Sequence, residues 1–147
     1  MLSKQEIVSK LKQFDLKSTN QRVIIYDAIY GMKNHPCTEN IYDCIKNENP
    51  SITLATVYKT LESFANCGLI NKISTENGKV RFDPNTASHN HVHCLETNEI
   101  FDFYDKDLET LLNDFIKSKR IDNFEIKDFK LLVKGNKIDL NRNIKIH

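Results

Sequence analysis

Three of the five histidines lie in one short segment, residues 88–94, where they alternate with other residues. On a β-strand, alternate side chains point to the same face of the sheet, so His89, His91 and His93 could converge. Converging imidazoles with carboxylates nearby form a nitrogen and oxygen ligand set that suits Fe(II), Mn(II) or Zn(II). The spacing therefore predicts a metal site that includes His89 and His91, and it leaves the contribution of His93 open.

Further candidate ligands flank this segment. Asp83 lies just upstream, Asp102 lies in the next strand-like run, and His35 stands alone after a predicted helix. Taken singly, a histidine is more often a surface or hydrogen-bonded residue than a metal ligand. The alternating histidines therefore carry the prediction, and whether Glu96 takes part is also open.

A protein of a different class has similar spacing. His89-x-His91 followed by Glu96 also matches the His-x-His and Glu ligands of cupin-type iron enzymes. Such an enzyme needs an all-β jelly roll with many turns. The chain has only 4 Gly and 3 Pro, and its first half is patterned for helices, so the cupin alternative is disfavoured.

The first half of the chain is predicted to form four helices followed by a hairpin. The apolar residues recur at helical spacing, and Ser or Thr residues precede the second and fourth helices as N-caps. The first three predicted helices lie near residues 7–14, near 19–31, and from 38 to the turn at Asn49-Pro50. The fourth begins after Ser51 or Thr53 as its N-cap and ends before Gly68, which suits the position just past a helix end, and the strands lie at 69–74 and 79–82. Helices followed by a hairpin are typical of a winged helix-turn-helix, in which the helix before the wing enters the major groove of DNA.

The fourth predicted helix has small or hydrogen-bonding residues off its apolar face. Ala55, Thr56, Tyr58 and Lys59 point away from the predicted core, where small residues let a helix approach base edges. An ordinary solvated face is the alternative, and the wing that follows favours DNA. Two basic residues flank the start of the second helix as candidate backbone or minor-groove contacts: Lys17 and Arg22.

The composition fits one ordinary domain or two small ones with a real core, since the 147 residues are 39% apolar and 28% charged. The 21 Lys and Arg against 20 Asp and Glu neither demonstrate nor exclude a nucleic-acid partner. No apolar run approaches the ~20 residues of a membrane span. No basic and then apolar signal segment opens the chain, so we expect a cytoplasmic protein without a membrane partner.

A second region begins near Pro84. The boundaries predicted are a DNA-binding domain at 1–83, a hinge at 84–88 and a second domain at 89–147. In the second domain we predict strands at 92–95 and 100–104, a helix over 108–116, a strand over 124–133 and an edge strand in the tail. The predicted fold class is α+β: an N-terminal winged helix-turn-helix domain followed by a C-terminal α/β domain.

Six motifs, in order over nearly the whole chain, resemble the ferric uptake regulator (Fur) family. They are Asn34-His35-Pro36, Ser51 to Leu61, Gly68-Leu69-Ile70, Arg81-Phe82-Asp83, His89-x-His91-x-x-Cys94 and Ile100-Phe101-Asp102-Phe103. The resemblance implies a homodimeric transcriptional repressor, and not an enzyme, whose C-terminal domain dimerises. We expect its DNA partner to be an AT-rich inverted-repeat operator.

The resemblance also implies a regulatory Fe(II) or Mn(II) site at the hinge, which Zn(II) can occupy in purified protein. Carried over by motif, its ligands are His35, Asp83, His89, His91 and Asp102.

The resemblance is greatest to the PerR-type branch of the family, which senses peroxide. Members of that branch carry Asp at the position of Asp102, where iron-uptake regulators usually carry Glu, and they share the His35-Pro36 pair. In that branch bound Fe(II) reacts with hydrogen peroxide and a ligand histidine is oxidised. His35 and His89 match the oxidised positions. The alternative is an iron-responsive uptake repressor, with a zinc-responsive one less favoured.

The chain departs from the family at two metal sites. Many members hold a structural zinc with two C-x-x-C pairs, but here Thr97 follows Cys94 in the partner position, so no structural four-cysteine zinc is expected. The four scattered cysteines are instead expected to be small buried side chains. A second family metal site is also expected to be lost, since other residues stand where its ligands are often found: Ser88, Asn90 and Phe129.

Overall fold

The computed structural model describes residues 1–147, and the chain divides into two compact units, Met1–Thr86 and Ala87–His147. The boundary between the units falls inside the segment 84–88 that the sequence predicts as a hinge. None of the helices combines the length and the apolar character that a membrane crossing requires.

The first unit contains four helices and a two-stranded antiparallel sheet. Its elements are α1 (Lys4–Gln13), α2 (Asn20–Gly31), α3 (Thr38–Ile45), α4 (Leu54–Asn66), β1 (Asn71–Ser74) and β2 (Val80–Asp83). This is the predicted order of helices followed by a hairpin, which we call the wing (residues 71–83). The arrangement is that of a winged helix-turn-helix.

A side-chain cap marks the start of α4, and a glycine in a left-handed conformation follows its end. The Thr53 hydroxyl accepts the N–H of Thr56 at 3.2 Å, which satisfies a donor that the first turn leaves unpaired. Past the last turn, Gly68 adopts φ +83°, a left-handed conformation that a Cβ would disfavour. The sequence predicted Gly68 at the end of the helix and Ser51 or Thr53 at its start, because capping depends on residues close in the chain, and the structure selects Thr53.

A single hydrophobic core fills the first unit. Side chains from all four helices, from the segment between α4 and β1, and Phe82 of β2 contribute to it, and many are fully buried, including Leu11, Ile25, Val57, Leu61 and Phe64. On α4 the buried residues recur at helical spacing, so the helix keeps its opposite face exposed.

The second unit has a three-stranded mixed sheet and one helix. Its elements are β3 (Asn90–Cys94), β4 (Ile100–Phe103), α5 (Lys106–Ser118) and β5 (Leu132–Gly135). The strand order is β4-β3-β5, with β4 antiparallel and β5 parallel to β3. The central strand β3, which carries His91, is therefore paired on both of its edges.

Two strand predictions in the second unit were wrong. The predicted strand over 124–133 is replaced by β5, which begins only at Leu132, and the tail after Gly135 contains no strand. The physical reason is that the neighbouring strand β3 begins only at Asn90. The side chain of Asn90 accepts the N–H of Leu131, so the residues before Leu131 have no part of β3 to pair with. Apolar alternation alone does not form a strand without a neighbouring edge.

The α+β fold class is confirmed, and the cupin alternative is wrong. The sheets have two and three strands, and helices dominate the first unit, whereas a jelly roll needs eight strands in two sheets.

Candidate metal centre

In the first unit, two of the predicted ligands lie side by side. The Nε2 of His35 is 3.5 Å from Oδ2 of Asp83, and both residues are buried. His35 lies between α2 and α3, and Asp83 is the last residue of β2. The imidazole and the carboxylate therefore come from segments far apart in sequence, which the wing brings together.

In the second unit, strand pairing brings the other three predicted ligands together. His91 on β3 lies directly opposite Asp102 on β4. Its Nε2 is 3.5 Å from Oδ1 of Asp102, and the Nε2 of His89 lies 3.1 Å from the same oxygen. The ring centroids of the two histidines are 4.5 Å apart. Two imidazoles thus converge on one carboxylate.

The tautomer of His89 is fixed by its second nitrogen. Nδ1 lies 2.7 Å from the carbonyl oxygen of Ala87, and because a carbonyl only accepts, Nδ1 donates. In the neutral ring, Nε2 then carries the lone pair and faces Asp102. A backbone carbonyl that orients a histidine in this way is typical of the surroundings of metal ligands.

The third histidine of the segment, His93, does not face Asp102. His93 is buried, and its Nε2 lies 2.8 Å from Oδ1 of Asn98, in the turn between β3 and β4. Glu96 is exposed in the same turn. Neither residue joins the pair of imidazoles at Asp102.

The ligand atoms of His89, His91 and Asp102 lie within 4.8 Å of one another, so one ion could contact all three. Two neutral imidazole nitrogens and a carboxylate oxygen are a borderline set that accepts Fe(II), Mn(II) or Zn(II), in Irving–Williams order of affinity. The residues of the second unit therefore fit a divalent transition-metal ion.

The predicted DNA-contacting residues lie on the face of α4 that is not buried, or at the start of α2 and just before it. Ala55, Tyr58 and Lys59 are exposed, and Thr56 is half-buried with its hydroxyl 3.0 Å from that of Thr53. Before α2, Lys17 is exposed. Its carbonyl accepts a hydrogen bond from Nη1 of Arg22 at 3.1 Å, so part of that guanidinium organises the loop itself.

The cysteines divide evenly between buried and exposed. Cys37 and Cys94 are buried, as expected, but Cys44 on α3 and Cys67 just past the end of α4 are exposed, so for these two that expectation was wrong. Hydrogen bonds from the side chain and backbone of Thr97 lower the pKa of the Cys94 thiol. Cys94 is the only cysteine of residues 87–147, and the absence of a structural zinc remains a prediction.

Sequence reasoning missed two residues that contact the candidate ligands. Tyr104 stacks on the His89 ring with centroids 5.6 Å apart. Arg81 donates to the carbonyl oxygens of Asn34 and His35. A signal for Arg81 was present, since residues two apart on a strand share a face and Arg81 precedes Asp83 by two.

Comparison with known proteins identifies the family. The profile described as "Ferric uptake regulator family" matches residues 13–134. The chain belongs to this family. A peroxide-responsive repressor PerR from Staphylococcus aureus is 30% identical over 99 residues, which cover 67% of each chain.

Solved structures of Fur family members share the fold. A ferric uptake regulator from Pseudomonas aeruginosa with manganese has a TM-score of 0.76 and 26% identity, over 90% of this chain and 98% of that one. A Campylobacter jejuni peroxide stress regulator has a TM-score of 0.67 and 26% identity, over 95% and 99%. The protein is thus a metal-responsive regulator and not an enzyme, in a family of DNA-binding dimers with an N-terminal DNA-binding and a C-terminal dimerisation domain.

Proposed function

We propose that the protein is a metal-dependent repressor that senses hydrogen peroxide through oxidation of a ligand histidine. The observation that carries the proposal is the convergence of His89 and His91 on the carboxylate of Asp102. The similarity to the staphylococcal PerR supports the peroxide signal. Asp102 is also consistent with the peroxide-sensing branch, since that branch has Asp at this position and iron-uptake regulators usually have the longer Glu.

A single divalent ion is proposed to bind five residues. The first unit contributes His35 and Asp83, and the second contributes His89, His91 and Asp102. Fe(II), when bound, supplies the electron that reduces peroxide. Such an ion binds the DNA-competent arrangement of the two units more tightly than other arrangements, and this difference in affinity stabilises it. At the same ligands Mn(II) holds that arrangement without promoting the oxidation.

The position of a side chain relative to the ion determines whether it is oxidised. His35 and His89 are the proposed targets, since as ligands their imidazoles would lie next to the ion at which peroxide would be reduced. The carbonyl of Ala87 and the stacked Tyr104 ring orient the His89 imidazole, which favours the direction of its Nε2 towards Asp102. Oxidation of either ring removes a nitrogen ligand and with it the stabilisation of the DNA-competent arrangement.

The proposed DNA target is an AT-rich inverted repeat. A two-fold symmetric dimer presents two copies of α4, so its operator must repeat the half-site in inverted order. In each half-site, Tyr58 and Lys59 are proposed to contact base edges, with Ala55 and Thr56 allowing close approach. Lys17 and Arg22 are proposed to contact the backbone or minor groove near the start of α2.

The central test is operator binding by protein loaded with Fe(II) or with Mn(II), before and after a small dose of peroxide. We expect the Fe(II) form to lose the operator and to gain one oxygen on the peptide that contains His35 or His89. The Mn(II) form is the control and should keep both its mass and its DNA. Retention of DNA by the Fe(II) form without oxidation would instead support the alternative, an iron-responsive uptake repressor. The similarity to the Pseudomonas aeruginosa ferric uptake regulator is the observation in favour of this alternative.

Asp102→Glu gives a sharper test of the same proposal. The longer side chain would shift the carboxylate relative to His91 across the strand pair and so change how peroxide could approach an ion held by these residues. We expect the variant to keep metal-dependent DNA binding and to lose most of its release by peroxide. Equal peroxide sensitivity in variant and wild type would show that this carboxylate does not set the response.

A further inference from the structure

The backbone at His35 adopts a conformation that ordinary residues rarely occupy. Its φ is +51°, in the left-handed region. Histidine reaches this region more often than most side chains do, but the conformation persists only where its surroundings hold it. The structure must therefore supply contacts that keep His35 in this bend.

One guanidinium nitrogen supplies two of these contacts. Nη1 of Arg81 donates to the carbonyl oxygen of His35 at 3.0 Å and to that of Asn34 at 3.2 Å. Two hydrogens on one planar nitrogen thus hold two consecutive carbonyls. A charged donor makes stronger hydrogen bonds than a neutral one, which suits it to hold a strained bend.

The next residues of the same strand complete the attachment. The N–H of Phe82 donates to the carbonyl of Pro36 at 3.0 Å, and Asp83 places its carboxylate 3.5 Å from the His35 ring. Residues 34–36 are therefore tied to three successive residues of β2. Since β2 is also a strand of the wing, the position of the His35 ring follows the position of the wing.

We infer that Arg81 is a positioning residue, which sets the direction of the His35 imidazole before any ion binds and couples it to the wing. The inference rests on the proposed function for the role of His35 as a ligand. It predicts that Arg81 affects metal affinity without touching the ion. A pre-formed ligand direction removes an ordering cost that binding would otherwise have to overcome.

The test compares Arg81→Met with wild type, using Co(II) as the spectroscopic probe of the ion. Methionine keeps an unbranched stem but removes the donors and the charge. We expect Co(II) affinity to fall at least tenfold, and the visible spectrum to shift towards that of His35→Ala. Lys79→Met, in the same wing with an exposed side chain, is the charge control and should bind Co(II) like wild type. Arg81→Lys restores a charged donor and should recover part of the affinity.

A measurement on metal-free protein separates this inference from the proposed function. In apo Arg81→Met, the Phe82 amide should exchange with solvent at least tenfold faster than in wild type, while amides in α4 stay protected and show that the unit is folded. Unchanged Phe82 exchange, or an equal effect of Lys79→Met, would overturn the positioning role. If His35→Ala and wild type give the same Co(II) spectrum, the proposed ligand set fails, and the Phe82 exchange alone decides whether Arg81 holds the bend.

Discussion

The two units bury their apolar residues to very different degrees. All fifteen members of the main core cluster lie in the first unit, between Ile7 and Phe82. In the second unit only Cys94 and Ile100 are buried hydrophobic side chains, and α5 has no buried residue. Large apolar side chains remain exposed there, including Leu111 at 67% and Phe124 at 64%. The first unit has a core of its own, whereas the second unit leaves large apolar side chains exposed, as expected in a family whose C-terminal domain dimerises.

The largest expected effect comes from separating the units. A fragment of residues 1–86 should unfold cooperatively at a midpoint that does not change with protein concentration. A fragment of residues 87–147 should show no cooperative unfolding at low concentration, because small domains without a core are marginal. Denaturant titrations at several protein concentrations measure the unfolding of both fragments. Cooperative unfolding of a monomeric 87–147 fragment would remove the contrast between the units.

Replacement of a leucine by alanine should have different effects in the two units. Leu61→Ala, at a fully buried position, should lower the free energy of unfolding by about 2–5 kcal/mol at any protein concentration. Leu111→Ala should lower it by less, and its effect should fade as the protein is diluted below the concentration at which it dimerises, because the substitution weakens association and only the dimer has this contact. Thermal unfolding over a hundredfold range of concentration distinguishes them. A concentration-independent effect of Leu111→Ala would place this residue outside the dimer interface.

DNA recognition should depend on side chains of the first unit. Tyr58→Ala should cost about 1–3 kcal/mol of discrimination between operator and random DNA. Lys17→Ala should weaken binding to both and reduce the slope of log affinity against log salt by about 1, so its effect is largest at low salt. Lys117→Ala on α5 is the charge control. Titrations of labelled duplexes test this, and an effect of Lys117→Ala equal to that of Lys17→Ala would contradict it.

The smallest expected effect concerns the cap of α1. The Ser3 backbone N–H and hydroxyl lower the pKa of the Glu6 carboxyl, whose Oε2 lies 2.7 Å from the Ser3 nitrogen. A lowered pKa in the folded state means that this contribution to stability is present above the pKa of the unfolded chain and is lost as the pH falls through the folded value. Ser3→Gly should raise the pKa of Glu6 towards its ordinary value, as NMR titration would show. An unchanged Glu6 pKa would mean that the hydroxyl contributes nothing to it.

The sequence predicted the first unit better than the second. The four helices and the wing depend on apolar spacing and on caps such as Thr53 and Gly68, which are local signals. The start of β5 depends on where β3 begins, and the absence of a strand in the tail depends on pairing partners. Contacts between residues far apart in the chain leave no local signal, so those predictions failed.

The candidate ligands were predictable, but their arrangement was not. Alternation placed His89 and His91 together, and motif resemblance added Asp102. The register that sets His91 opposite Asp102 depends on the turn between the strands, where Asn98 adopts φ +61°. The spacing of two between Arg81 and Asp83 places both on one face of β2, but it does not indicate that Arg81 donates to the carbonyl of His35, 46 residues away.

The parallel pairing of β3 with β5 has a consequence for the order of folding. His91 pairs with Leu132, which lies beyond β4, α5 and a long irregular segment. Closing so large a loop costs conformational entropy of the chain, and contacts between nearby residues do not offset that cost. The helices and the hairpin of the first unit need only short loops. During synthesis the whole first unit emerges before Leu132 does. Helix formation and core collapse can therefore be complete before the central strand of the second sheet acquires its second neighbour.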